Sequence, residues 1–216
     1  MSYPLEITQK CAICKNKSTQ TILASSSTFG PSDLDKRPPE MLRSTMWCWI
    51  QECPHCGYIS GDIEKKVKIN KKWLQSEEYI NGNGVKFSSY LAKKFYKQFL
   101  ICLQTEDTKG AFFAALHAAW VCDDTRDFDN AVFCRILALE MLEELLKSPD
   151  AEEDLVIIRA DLLRRTCDFD TLIEEYQNKK FSSDLLDQII AFQIEKAKVR
   201  DDRCYTVGDV MANEQD

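Results

Sequence analysis

No apolar run in this chain approaches the roughly 18 residues a helix needs to cross a bilayer. The N-terminus, Met1 to Lys10, has no basic start followed by an apolar stretch, so no secretion signal is expected. There is no glycine-rich phosphate loop, no GxSxG elbow and no HExxH pair, which removes the commonest nucleotide-binding, serine-hydrolase and zinc-protease signatures. Positive charge is short in the larger part of the chain. Residues 81–216 hold 17 Lys/Arg against 26 Asp/Glu, a net of −9, which argues against a broad phosphate-binding surface there. Residues 1–80 hold 11 against 9, a net of +2, so only this part permits nucleic acid; the whole chain carries −7. Without an export signal the expected location is cytoplasmic, where thiols stay reduced or hold metal.

Cysteine, by contrast, is plentiful: ten in 216 residues. Four form two Cys-x-x-Cys pairs, Cys11/Cys14 and Cys53/Cys56, the second within Cys53-Pro54-His55-Cys56-Gly57-Tyr58. Two intervening residues let one tight turn aim both thiolates at a single ion, and two such turns complete a tetrahedral zinc shell. Gly57 suits a backbone that must curl past the metal with positive φ or close approach. The reading is one structural Zn²⁺ in a zinc-ribbon module, with no open position for catalysis. A redox pair or an iron–sulfur cluster accounts less well for two pairs with their Pro and Gly. His55 is expected to point outward or to donate to a thiolate. Cys48, between Trp47 and Trp49, reads as a strand side chain. Cys102, Cys122, Cys134, Cys167 and Cys204 read as small buried apolar groups.

Between the pairs, Ser18–Ser27 is compatible with a short strand, and Phe29–Glu40 is loaded with turn formers and reads as an ordered loop. Met46–Glu52 is aromatic-rich and β-prone, a strand leading into the second cysteine turn. A basic run follows, Lys65, Lys66, Lys68, Lys71 and Lys72, with Trp73 beside it. As a nucleic-acid patch it would pair lysines with a stacking indole; its bland counterpart is a solvated face. Asn81-Gly82-Asn83-Gly84 marks the expected boundary between a zinc-ribbon module at 1–75 and an α-helical repeat domain at 85–206, with 207–216 a frayed tail.

From Ser88 onward the apolar spacing is helical. Ser148-Pro149-Asp150 carries the signals of a helix start, and further helices are expected over about 152–166, 169–179 and 184–202, the last capped by Ser182 or Ser183. Thr125-Arg126-Asp127-Phe128-Asp129 recurs as Thr166-Cys167-Asp168-Phe169-Asp170. That suggests one helix–turn–helix unit used twice, an Asp capping the second helix and a Phe plugging the junction. Asp123/Asp124 and Glu143/Glu144 read as helix-end and solvated charges. The fold class is therefore mainly α: a small zinc ribbon with short strands, then tetratricopeptide-like helices.

With Cys11-Ala-Ile-Cys14, the Phe29-to-Met41 loop, Cys53-Pro-His-Cys-Gly-Tyr58 and Cys204-Tyr205-Thr206-Val207, the chain resembles a family of bacterial proteins classed as a domain of unknown function. These join an N-terminal CxxC…CPxCGY module to tetratricopeptide-like helices. The resemblance implies architecture and no activity. The leading functional expectation is a non-enzymatic module that binds a protein or peptide partner in a helical groove. The Ala-rich helix around 111–121 would line that groove, with Phe112, Phe113, His117 and Trp120 as anchors. The alternatives are a nucleic-acid-associated zinc ribbon using the 65–72 segment, and an enzyme with a site near His117.

Overall fold

The structure is a computed structural model, and it describes residues 1–213. Two antiparallel hairpins open the chain. The first is long, β1 (Ser2–Lys10) paired with β2 (Lys17–Ser26) from Lys10↔Lys17 to Ser2↔Ser26. The second is minimal, β3 (Gln51–Glu52) with β4 (Ile59–Ser60). Each hairpin turn carries one Cys-x-x-Cys pair. The strand expected over Met46–Glu52 is a correction: Arg43–Cys48 forms a 3-10 turn, and only Gln51–Glu52 is strand. Tertiary packing overrides the local β preference here, because Thr45, Met46 and Cys48 are all buried on one side of that turn.

A second 3-10 turn, Trp73–Gln75, and a short helix, α1 (Glu77–Asn81), lead to the helical part. Ser76 caps α1 and Gly82 closes it in the left-handed region at φ 59°. Then come α2 (Tyr90–Gln104), α3 (Thr108–Asp124), α4 (Phe128–Leu145), α5 (Glu153–Arg165), α6 (Phe169–Tyr176), α7 (Asp184–Lys198) and α8 (Val207–Asn213). Ser183 caps α7, accepting the N–H of Leu186 at 3.4 Å. Ser148-Pro149-Asp150 does not start a helix; α5 begins at Glu153, leaving those residues in the connection between repeats. Of the tail expected to fray over 207–216, Val207–Asn213 forms helix α8 with Val210 buried, and residues 214–216 lie outside the described residues. No helix among the described residues is long and apolar enough to cross a membrane.

The repeated junction occurs at four helix ends rather than two. Glu106, Arg126, Cys167 and Arg200 all take positive φ, between 54° and 63°. The next residue, always Asp, donates its N–H at 2.9 Å to the carbonyl five back: Asp107 to Cys102, Asp127 to Cys122, Asp168 to Leu163, Asp201 to Lys196. This is the Schellman closure of α2, α3, α5 and α7. Thr105, Thr125 and Thr166 add a hydroxyl bond to the carbonyl four back. Of the Asp side chains, Asp107 caps the following helix through Gly110 N–H at 2.9 Å. Asp127 and Asp168 sit at cap positions without that bond, and Asp127 instead holds Asn130 and the N–H of Ser88. Phe169 plugs its junction, whereas Phe128 is 64% exposed. After α7 the chain runs extended to α8 and returns to the loop between the hairpins, Leu34 N–H to Tyr205 O at 3.0 Å and Val207 N–H to Ser32 O at 2.9 Å.

The core does not divide at 75–85. Buried Cys11, Ile50, Cys53, Tyr58, Ile59, Ile63, Leu74 and Tyr79 belong to one apolar cluster with the inner faces of α2, α3 and α4. Helix α5 supplies Leu155, Ile158 and Leu162 to this cluster, and Ile157, Ala160 and Leu163 to a second one with α6, α7, α8 and Leu34. Arg159 clasps the stack, bonding Glu143 of α4 and Glu175 of α6.

Candidate functional site

The cysteine cluster is made by two matching turns. In each, the first cysteine's carbonyl accepts the N–H four residues on, from Lys15 at 3.0 Å and from Gly57 at 2.9 Å. Both of those residues have positive φ, 65° and 70°. Gly57 therefore does what its position suggested, and Lys15 does the same with a Cβ attached. The first turn is tied to the chain just past β4 by Ala12 N–H on Ile63 O at 2.7 Å, and Tyr79 Oη donates to Gly57 O at 2.5 Å. The four Sγ atoms of Cys11, Cys14, Cys53 and Cys56 all lie within 4.8 Å of one another. Cys11–Cys56 is 3.7 Å and Cys14–Cys53 3.5 Å. Four thiolates about 2.3 Å from a tetrahedral ion stand about 3.8 Å apart, so the set fits a closed metal site. Burial tends to raise the Cys14 thiol, but the Asn16 N–H and the neighbouring thiols outweigh it and bring it to about 7. Burial pushes Cys53 and Cys56 up. A dication bound by the set would relieve the resistance of Cys53 and Cys56 to ionisation. His55 is exposed and outside the donor set, its ring against Lys17 O at 3.4 Å.

The residues proposed to line a partner groove lie elsewhere. Helix α3 runs between α2, α4 and the 33–43 loop. Phe112 and Trp120 are buried, together with Ala111, Ala114, Ala115, Ala118 and Ala119. The alanines let neighbouring helices approach α3, and this corrects the expectation that Phe112 and Trp120 line an open groove there. Phe113 and His117 are half-buried. The His117 ring is enclosed by Trp120 at 4.9 Å, Phe95 at 5.2 Å and Trp49 at 5.3 Å between centroids. Desolvation, then the Arg37 charge, pulls His117 down to about 4, so it is neutral at pH 7. No hydroxyl, thiol or carboxylate bonds to it among the described residues. Lys65, Lys66, Lys68, Lys71 and Lys72 are all exposed; Trp73 is committed, its indole N–H on Glu78 at 3.0 Å and its ring 5.0 Å from Tyr79. Of the other cysteines, Cys48, Cys102, Cys122 and Cys134 are buried, while Cys167 and Cys204 are exposed, contrary to the expectation for those two.

A cavity of about 460 Å³ is the polar centre that sequence reading missed. It is walled by the 33–43 loop, the α3–α4 junction, the end of α5 and the segment before α8. Asp123, read as a helix-end charge, is its keystone. Arg135 grips it with two bonds, Nη1–Oδ1 at 3.1 Å and Nη2–Oδ2 at 2.5 Å, and Arg165 adds a third at 3.1 Å. These arginines, with Arg37 on Asp124 at 2.5 Å, pull the Asp123 carboxyl below its usual range against its burial. Arg43 closes on Asp33, and Asp33 accepts from Cys204 Sγ at 3.4 Å. Behind this wall Asp35 is fully buried, taking Trp120 Nε1–H at 2.6 Å and Arg37 N–H at 3.2 Å. Burial, with the Asp161 charge, raises it to about 6.

No family model, curated protein or solved structure matches this chain. The Phe29–Met41 loop and Cys204–Val207 are two of the four segments on which the family resemblance rests. The fold puts those two segments side by side.

Proposed function

We propose that the protein is a zinc-fastened, non-enzymatic binding module of the cytoplasm, whose helical repeats engage a protein or peptide partner. The four Sγ atoms converging within 4.8 Å carry the metal half of this reading. A closed Cys₄ set with no fifth donor and no open position suits Zn²⁺ in a structural role. The architecture agrees with the resemblance to the bacterial family that joins the same two parts. Ten cysteines without a disulfide among the described residues suit a reducing compartment. For the partner, support shifts from α3 to α4. Phe128 and Ile136, 64% and 44% exposed, continue through half-buried Val132 as an apolar stripe on the outer side of α4. Exposed aromatic and aliphatic groups in a row are the usual anchors for a docking segment.

The test has two parts. Metal analysis of the purified protein is expected to give one zinc per chain, lost in Cys53→Ser; protein that is metal-free yet unchanged in fold ends the reading. Cross-linking from residue 136 in cells is expected to trap a polypeptide, and Ile136→Asp to abolish the adduct while thermal stability holds.

A further inference from the structure

We propose that the arginine-walled cavity binds a small organic monocarboxylate, its carboxylate on Arg165 and its hydrocarbon part against Phe128 and Val132. The charge count selects the ligand's sign. Five guanidiniums, from Arg37, Arg43, Arg135, Arg165 and Arg203, face four carboxylates, from Asp33, Asp123, Asp124 and Asp202. Arg203 is held by Asp201, which lies outside the lining, so the wall as a whole is balanced. The local excess is one positive charge where Arg135 and Arg165 share the single carboxylate of Asp123, because Arg135 already takes both of its oxygens.

Arg165 is the least satisfied of the set. Among the described residues it makes one hydrogen bond, to Asp123, although its side chain is only 10% exposed. Its Nε is buried without a partner, as are those of Arg37 and Arg135, whose side chains are 5% and 2% exposed. Those three Nε atoms are shut off from solvent and so from the cavity; the donor Arg165 leaves for a guest is Nη1, which has no partner among the described residues and is not shut in. A guanidinium fork matches a carboxylate in two parallel bonds. A phosphate dianion also matches the fork, but the four lining carboxylates repel it more strongly than they repel a monoanion. A monoanion is therefore favoured.

The opposite wall is apolar. Phe128, Ala131 and Val132 line it from α4, and Phe128 stays exposed although its counterpart Phe169 is buried. A cavity of this size, part apolar with a few convergent polar groups, is typical of small-molecule sites. Cys204 on the rim is no nucleophile here: although the residue as a whole is exposed, its Sγ is desolvated against Asp33, and this, with the nearby carboxylates and against the pull of Arg165, raises its thiol to about 12. The site thus has the character of a binding pocket. This inference stands apart from the zinc reading, since no cysteine ligand lines the cavity, but Phe128 and Val132 also belong to the α4 stripe, so a docked partner and a bound acid would compete for them.

Titration calorimetry on the full-length protein decides it, with n-alkanoates from acetate to decanoate, phenylacetate, the matching amides and inorganic phosphate as probes. The acids are expected to bind with affinity rising along the series to a limit set by the cavity, reaching a Kd of about 1 mM or better. The amides should bind at least about tenfold more weakly, having lost the charge-assisted fork. Arg165→Gln is expected to weaken the best acid by about tenfold or more, and Phe128→Ala, at an exposed position that folding does not need, to flatten the chain-length dependence. The proposal is overturned if amides match acids, if phosphate outcompetes every acid, or if no acid binds at about 10 mM, well above the affinity expected for such ligands. The acid–amide comparison uses unaltered protein, so it decides the matter even if Arg165→Gln fails to fold.

Discussion

The two polar centres of this molecule are built in opposite ways. The cysteine cluster draws its donors from two short turns, each fixed by its own local hydrogen bonds and brought face to face by a few contacts. The arginine cavity draws from four stretches of chain, and its Cys204–Asp33 contact joins residues 171 apart. A locally encoded site survives as long as its turns do. A site assembled over distance exists only once the whole stack is in register, so its stability and the fold's stability are the same quantity.

The largest effect that tests this contrast is metal removal. Structural zinc contributes on the order of 10–16 kcal/mol in small finger peptides. The cysteine hairpins share their core with α2, α3 and α4, so a loss on metal removal should not stop at residue 75. Chelation, or Cys53→Ser, is expected to lower helical circular dichroism as well, and the fragment 85–216 to be less stable than the intact chain. Helices that melt at an unchanged temperature without zinc would restore the boundary at 75–85 and make the ribbon a separate unit.

Next in size is the keystone of the cavity. Asp123→Ala leaves Arg135 and Arg165 buried without their shared anion, a loss expected near 3–5 kcal/mol in denaturant unfolding. The exposed pair Lys147–Glu144 is a control; breaking it is expected to cost under about 1 kcal/mol. Equal effects at the two places would mean that the cavity's ion pairs are solvated after all.

Asp35 gives a pH signature of similar order. Its carboxyl is raised to about 6 from an ordinary value of 3.8, so the folded state prefers it protonated. Its contribution to stability is full below about pH 4 and is lost as pH rises through 6, on the order of 3 kcal/mol by linkage. Asp123 acts in the other direction: its lowered carboxyl contributes above its unfolded value and is lost as pH falls through the folded one. The difference in melting temperature between wild type and Asp35→Asn is therefore expected to change between pH 4 and 7. A constant difference across that range means Asp35 is not the titrating group.

The smallest effect probes the cysteine turns alone. Lys15 holds at φ 65° the place that Gly57 holds at 70°. Lys15→Gly removes left-handed strain of about 1–2 kcal/mol but loosens the unfolded chain, for a net gain of about 0.5–1 kcal/mol. Gly57→Ala should lose about as much, with no steric clash to add, since nothing stands within 4 Å of the added carbon. Chemical denaturation resolves both. The opposite sign at either position breaks the equivalence of the two turns.

Much of this was written locally. The Cys-x-x-Cys spacing specifies two turns, and Gly57, Ser183 and the Thr-x-Asp junctions act through bonds a few residues long, which is why they can be read along the chain. Even so, two of the four junctions escaped notice, because Glu106 and Arg200 sit in left-handed conformations that side-chain identity does not advertise. What tertiary structure alone decided was which faces are buried. Helix α3 is apolar enough to be either a groove or a core, and α2, α4 and the 33–43 loop closed it in. Asp123 and Arg165 carry no local mark of a site either. Their role comes from the return of residues 202–207 to residues 32–34, a contact set by the summed packing of every helix between them and by no single stretch of sequence.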